Sequence, residues 1–145
     1  MKKWIFLLLL FPLTCVAQTY QYLGVEDGLS NRRVYCIQKD RTGYMWFLTH
    51  EGIDRYNGKD FKRYKLMDGD TEVNSLLNLN WLYIDRDGVL WEIGKKGKIF
   101  RYDEIHDRFE LVYKLPIENF RDLPAPVSFA WLDRNNHIWL CNEET

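Results

Sequence analysis

The sequence predicts an all-β chain of β-propeller blades, each of four antiparallel strands, with about two and a half blades present and the ring incomplete. Three observations carry this. A phrase recurs three times, as Asp40-Arg41-Thr42-Gly43-Tyr44-Met45-Trp46, Asp85-Arg86-Asp87-Gly88-Val89-Leu90-Trp91 and Asp133-Arg134-Asn135-Asn136-His137-Ile138-Trp139. The tryptophans stand 45 and then 48 residues apart, a period that short strands fill as propeller blades. Aromatic residues make up 16% of the chain, and many fall in strand-like runs, as suits sheets that pack face to face. A propeller repeat is a structural unit, so the residues that recur are expected to build the blade and those that differ to contact a ligand.

Residues 1–17 read as an export signal: Lys2 and Lys3 form a positive head, Trp4 to Leu13 an apolar run, and Cys15-Val16-Ala17 a small-residue exit with cleavage expected after Ala17. The run is shorter than the roughly 20 residues that span a bilayer, so an uncleaved anchor is the lesser alternative. A lipid on Cys15 fits poorly, because Pro12 and Thr14 stand where leucine and a small residue are usual.

Residues 18–30 are read as a closing outer strand and its lead-in, with Tyr20-Gln21-Tyr22-Leu23 as the strand and Glu26-Asp27-Gly28-Leu29-Ser30 as its exit. The first blade, 31–74, holds strands at Val34–Ile37, Tyr44–Leu48, Ile53–Tyr56 and Phe61–Tyr64, with Asn57-Gly58 as a tight hairpin turn. The second blade, 75–124, repeats the plan at Trp81–Ile84, Val89–Ile93, Ile99–Tyr102 and Phe109–Tyr113, and Phe120 to Pro126 reads as a connection between blades. The third blade, 125–145, supplies Val127–Leu132 and His137–Cys141 and is truncated. Propellers need at least about four blades to close, so the chain is expected to be the amino-terminal piece of a longer protein. Alone, it is expected to be marginally stable, with an open blade face and an open edge.

In the recurring phrase the aspartate is expected to accept backbone N–H bonds, and the Gly or Asn after it to take the left-handed conformation of a tight hairpin. Arg41, Arg86 and Arg134 are expected to face solvent or a neighbouring turn. The tryptophan is expected to bury its ring against the next blade, with its indole N–H on a carbonyl. Cys36 and Cys141 sit in strands of different blades and read as core thiols. Twenty basic side chains against 21 acidic ones leave no basic field for nucleic acid.

Asp85-Arg86-Asp87-Gly88 lacks the later acidic positions of a calcium loop. The glycine spacing is also one place too long for the sialidase-type aspartate box. His106 and His137 read as isolated, so no metal site is expected. No serine elbow, phosphate-cradling loop or spaced carboxylate pair is present, and no catalytic residue or cofactor is expected. His50 and Glu51 occupy the turn where the second blade has Lys95 and Lys96. Ligand contacts are therefore sought there, although a solvated turn is the plainer reading.

Glu26-Asp27-Gly28-Leu29-Ser30-Asn31, Val34, Ile37, the phrase Asp40–Trp46, Thr49-His50-Glu51-Gly52-Ile53-Asp54-Arg55-Tyr56-Asn57-Gly58 and Phe61 together resemble the two-component regulator propeller repeat. The second repeat departs from that pattern at Trp91-Glu92-Ile93-Gly94-Lys95-Lys96-Gly97. The resemblance implies a non-catalytic periplasmic sensor of a hybrid two-component histidine kinase, in a parent anchored in the inner membrane and able to form a homodimer. Its partners would be the remaining blades and an oligosaccharide held by the complete propeller. An exported lyase-like propeller enzyme and a protein-binding scaffold are the alternatives.

Overall fold

The computed structural model describes residues 20–73, 81–94, 97–114 and 127–142. The signal at 1–17, the connection at 120–126, and Lys95 and Lys96 lie outside them. The local structure starts from the repeat aspartate. Asp40 Oδ1 accepts the backbone N–H groups of Thr42 at 3.0 Å and Tyr44 at 2.9 Å, while its Oδ2 accepts the indole N–H of Trp46 at 2.7 Å. Asp85 repeats this with Asp87, Val89 and Trp91, and Asp133 with Asn135, His137 and Trp139. The indole partner is thus the turn's own carboxylate, in place of the carbonyl expected from sequence. That carboxylate already lies at the hairpin tip, six residues before each ring. The fourth turn position takes a positive φ in every copy, 97° at Gly43, 89° at Gly88 and 63° at Asn136, which explains why Gly or Asn stands there.

These turns join the inner two strands of each blade. The first sheet runs β1 (Val34–Lys39), β2 (Met45–Thr49), β3 (Ile53–Tyr56) and β4 (Phe61–Tyr64), all antiparallel and in that order. The β3–β4 connection is a four-residue loop, because Tyr56 pairs with Phe61. Asn57 Oδ1 caps it by accepting the N–H groups of Lys59 and Asp60.

The chain then forms a hairpin that the period did not reveal, β5 (Leu66–Asp68) and β6 (Thr71–Val73). The second blade follows with β7 (Trp81–Ile84), β8 (Leu90–Ile93), β9 (Lys98–Asp103) and β10 (Arg108–Lys114). β5 pairs parallel with β10, giving a six-stranded sheet in the order β6-β5-β10-β9-β8-β7. Residues 66–73, placed in the first blade by the repeat period, therefore belong to the second blade's sheet. β11 (Val127–Leu132) and β12 (Ile138–Asn142) make the two strands described of the third. Tyr20 to Leu23, expected as a strand, have no strand assignment. A 3-10 turn at Val25–Asp27 follows them.

The blades stack through aromatic side chains. Trp46 is 1% exposed and meets Tyr102 and Phe109 of the second blade at ring separations of 4.9 and 5.9 Å, with Tyr64 of its own blade at 5.1 Å. With Leu48, Ile53, Leu66, Leu82, Leu90 and Phe100 these rings form one core between the two blades. Ile93, Ile99 and Ala130, with Trp91 and Ile138 against them, form the next core between the second and third. Along the inner edge, Gln38 Nε2 and Cys36 Sγ both donate to the Leu82 carbonyl, at 3.0 and 3.5 Å, so β1 and β7 lie side by side. Of the cysteines among the described residues, Cys36 is half-buried, whereas Cys141 is exposed. Cys141 therefore departs from the core role expected of it.

Trp139 is 58% exposed, because no described blade covers it. Truncating Trp46 to Ala should therefore cost about 3–5 kcal/mol as a large buried ring is lost. Trp139→Ala should cost about 1.5 kcal/mol, the lower end for a hydrogen bond to a charged group, because the pair is exposed. Urea unfolding of both variants checks this, and equal losses would contradict the packing described.

Candidate functional site

Every blade has two ends, one carrying the aspartate turns and the other carrying the loop into β1 and the β2–β3 turn. At the aspartate end neighbouring turns are tied to one another. Arg41 donates to the backbone carbonyls of Asp87, at 3.0 Å, and Arg86 in the adjacent turn. Asn136 reaches back to Asp87 Oδ2 at 3.0 Å. A hollow of about 560 Å³ opens beside them between the first two blades, lined by Tyr44, Arg55, Tyr102 and Asp107 among others. Arg55 lies over the rings of Tyr44 at 4.6 Å, Tyr64 at 5.2 Å and Trp46 at 5.4 Å, and donates to the Tyr102 hydroxyl at 3.0 Å. Asp107 accepts both the Tyr64 and Tyr102 hydroxyls, at 2.7 and 2.5 Å, together with Lys62. Burial opposes its ionisation, but these donors and Arg55 hold its carboxyl well below the usual range. This hollow is a latch between blades.

The opposite end is built differently. Ser30 N–H donates to Asp54 Oδ2 at 2.8 Å, and its hydroxyl lies 2.7 Å from Thr49 Oγ1. Thr49 in turn closes the β2–β3 turn by donating to the Gly52 carbonyl through its N–H at 2.8 Å and its hydroxyl at 3.1 Å. Asn31 Oδ1 accepts Arg33 N–H at 2.8 Å, and His50 N–H donates to the Arg33 carbonyl at 3.0 Å. The loop at 30–33 and the turn at 49–52 are thereby tied into one ledge. Asn31, Arg32, Arg33 and His50 line an open depression there, of about 560 Å³.

Tyr35 completes the ledge. The register of β1 against β2 shifts between Val34 and Cys36, leaving Tyr35 as the extra residue of a bulge, a device that re-aims a side chain. Its hydroxyl lies 2.8 Å from His50 Nδ1 and its ring stays half-exposed. Of the two residues singled out from sequence, His50 lines the depression. Glu51 is turned to Arg63 at 3.5 Å and Asn31 at 3.3 Å. Arg32, Arg33 and Tyr35 carried no motif and were not singled out. The available signal was the repeat itself, since the matching positions hold Leu77, Asn78 and Asn80 in the second blade and Ala125, Pro126 and Ser128 in the third.

The other histidines are not isolated. His137 Nδ1 lies 3.1 Å from Asp133 Oδ2, and His106 Nδ1 2.6 Å from Asp103 Oδ2. Asp103, His106 and Glu110 could each offer a ligand atom, all within 4.8 Å of one another. Asp103 also caps its own turn through the N–H groups of Ile105 and His106, and Glu110 is paired with Arg108.

Residues 28–51 match the family model of the two component regulator propeller. The match runs from the loop before β1 through the first aspartate turn to the end of β2. The matched segment contains most of the ledge, from Ser30 to Glu51, together with the first aspartate turn, and it bears out the resemblance carried by Glu26 to Phe61. Among solved structures, the chain is similar to the extracellular domain of the hybrid two component system BT3049 of B. thetaiotaomicron, with 27% identity and a TM-score of 0.60 over 83% of this chain and 17% of that one. It shares the fold of the extracellular domain of the one component system BT4673 of the same organism, at 21% identity and a TM-score of 0.57, over 79% of this chain and 16% of that one. The chain therefore spans about a sixth of the length of these neighbours. No curated protein matches it.

The ledge hangs on one buried carboxylate. Burial pushes the pKa of Asp54 up, against the pull of Ser30 and Arg63. A raised folded-state value means that the ionised group costs stability at neutral pH and that the cost is relieved as pH falls through that value. Asp54→Asn, which keeps an acceptor for Ser30, should match or exceed the parent's stability at pH 7. The difference should shrink as pH approaches the ordinary aspartate value of about 3.9. Asp54→Ala should lose about 1–3 kcal/mol by orphaning the Ser30 N–H. Urea titrations across this pH range check both, and an Asn variant as weak as the Ala variant at pH 7 would contradict the account.

Proposed function

We propose that this chain forms part of the ligand-sensing propeller of a hybrid two-component system, exported to the periplasm, and that it binds a saccharide without transforming it. The observation that carries the reading is the propeller repeat match at 28–51, which covers the same residues that form the ledge. The likeness to the extracellular domain of a hybrid two component system supports it. The ledge supports binding over catalysis: it presents cationic and hydrogen-bonding groups with an exposed tyrosine ring, a combination that grips polar ligands and stacks on sugar faces. Kinase and output activities would reside elsewhere in the parent, whose remaining blades would close the ring, and binding would be relayed through a membrane helix.

The test is a screen of the purified chain against neutral and acidic oligosaccharides by ligand-observed NMR, with the same samples assayed afterwards for new reducing ends. Line broadening for at least one saccharide class with no cleavage is the expected result. Cleavage would support the lyase-like reading, and silence across the panel would overturn glycan sensing.

A further inference from the structure

We propose that the ledge of the first blade is an anion-recognition site, in which Arg32 and Arg33, flanked by the His50–Tyr35 pair, hold a carboxylate or sulfate group of the ligand. That the ligand is a saccharide rests on the sensor reading above; that it is anionic rests on the following geometry.

Four of the nine arginines among the described residues are held by partners. Arg41 is bound to two carbonyls, Arg55 to rings and Tyr102, Arg63 to Glu51 and Arg108 to Glu110. Arg32 and Arg33 are adjacent, exposed, and without a side-chain acceptor among the described residues, and they line the same depression as His50 and Asn31. Two guanidinium forks beside one hollow suit planar or tetrahedral oxyanions, which they bind bidentately. With a formal net charge of −1 over the whole sequence, this local pair is not a sample of a generally basic surface. Glu51, in the turn beside them, is engaged by Arg63 and Asn31.

The backbone that carries the pair is fixed before any ligand arrives. Arg33 is held from both sides, its N–H by Asn31 Oδ1 and its carbonyl by His50 N–H. Ser30 is held by Asp54. Such preorganisation removes ordering costs from binding. Tyr35 and His50, with ring centroids 6.2 Å apart, supply an apolar face and a hydrogen-bonding edge next to the cations, which suits the ring that bears the acidic group. Position also favours the site: β1 is the innermost strand of its blade, and the neighbouring inner strand lies against it, so the ledge sits at the axis end of the sheet. The repeat places no cation at the matching positions of the other two blades in the sequence, which makes the site particular to the first.

The experiment is isothermal titration calorimetry of the full chain with trigalacturonate, with the same trimer methyl-esterified, and with inorganic sulfate. Arg32→Ala/Arg33→Ala and the milder R32Q/R33Q are compared with Arg86→Ala/Arg134→Ala, which removes the same charge from the aspartate turns. The acidic trimer should bind, esterification should weaken it at least about ten-fold, each ledge double variant should do the same, and the control should stay within about two-fold. If the esterified trimer binds as well as the acid, or the ledge variants match the parent, the anion site is overturned while saccharide sensing stands. If sulfate binds through the arginine pair and no saccharide does, the anion site stands and the glycan reading falls. Failure of all three probes to bind overturns the anion site.

Discussion

One carboxylate per repeat organises the hairpin and the neighbouring blade together. Each repeat aspartate uses Oδ1 to collect two backbone N–H groups, which shapes the turn, and Oδ2 to hold the indole N–H six residues on, which aims the ring. An ionised carboxylate is suited to this because it is acceptor-only and its hydrogen bonds are strong. At Asp133 the bond from Trp139, with those of the turn, holds the carboxyl well below its usual range. At Asp40 burial works against ionisation, yet the bonds from Thr42, Trp46 and Tyr44 prevail and the pKa is lowered. With the indole N–H held at the hairpin, the carbon face of the ring is free to pack outward. In the first blade that face meets Tyr102 and Phe109 and builds the largest core among the described residues.

Two further contacts convert stacked blades into a fixed pair. Arg41 crosses to the next aspartate turn, where an added Cβ on Gly88 would lie 3.0 Å from its Cδ, so glycine serves both the turn and the close approach. The latch of Arg55, Tyr64, Tyr102 and Asp107 is half cation–π and half charge-assisted hydrogen bonding. With the aspartate end of the first interface committed to such contacts, the residues able to meet a ligand are sought on the ledge at the opposite end.

The strands and turns were legible because the repeat phrase places an acceptor, a left-handed position and a buried ring at fixed offsets, and sheet periodicity fills the rest. The β5–β6 hairpin was not legible from the period. Leu66 to Val73 follows the last strand that the period places in the first blade, and its parallel pairing with β10 is a long-range contact that local pattern does not encode. The turn signal was present in Asp68-Gly69, with Gly69 at φ 59°. The exchange of a buried carboxylate between strands was also hidden. Phe47 faces Asp54 across β2 and β3 in the first blade, and Glu92 faces Phe100 across β8 and β9 in the second, so alignment by residue type mismatches what register aligns. At the site, His50 was legible as a departure from the repeat, whereas Arg32, Arg33 and Tyr35 become partners only through a bulge and a tied loop.

The central claim is that the carboxylate and the indole act as one coupled unit. A double-mutant cycle on Asp40→Asn and Trp46→Phe tests it most directly, since the first change offers the indole a donor in place of an acceptor and the second removes the indole N–H. The account predicts a coupling of about 1.5–3 kcal/mol in urea unfolding, the range of a hydrogen bond to a charged group. Additive losses within about 0.5 kcal/mol would show the two residues to be independent and would contradict it.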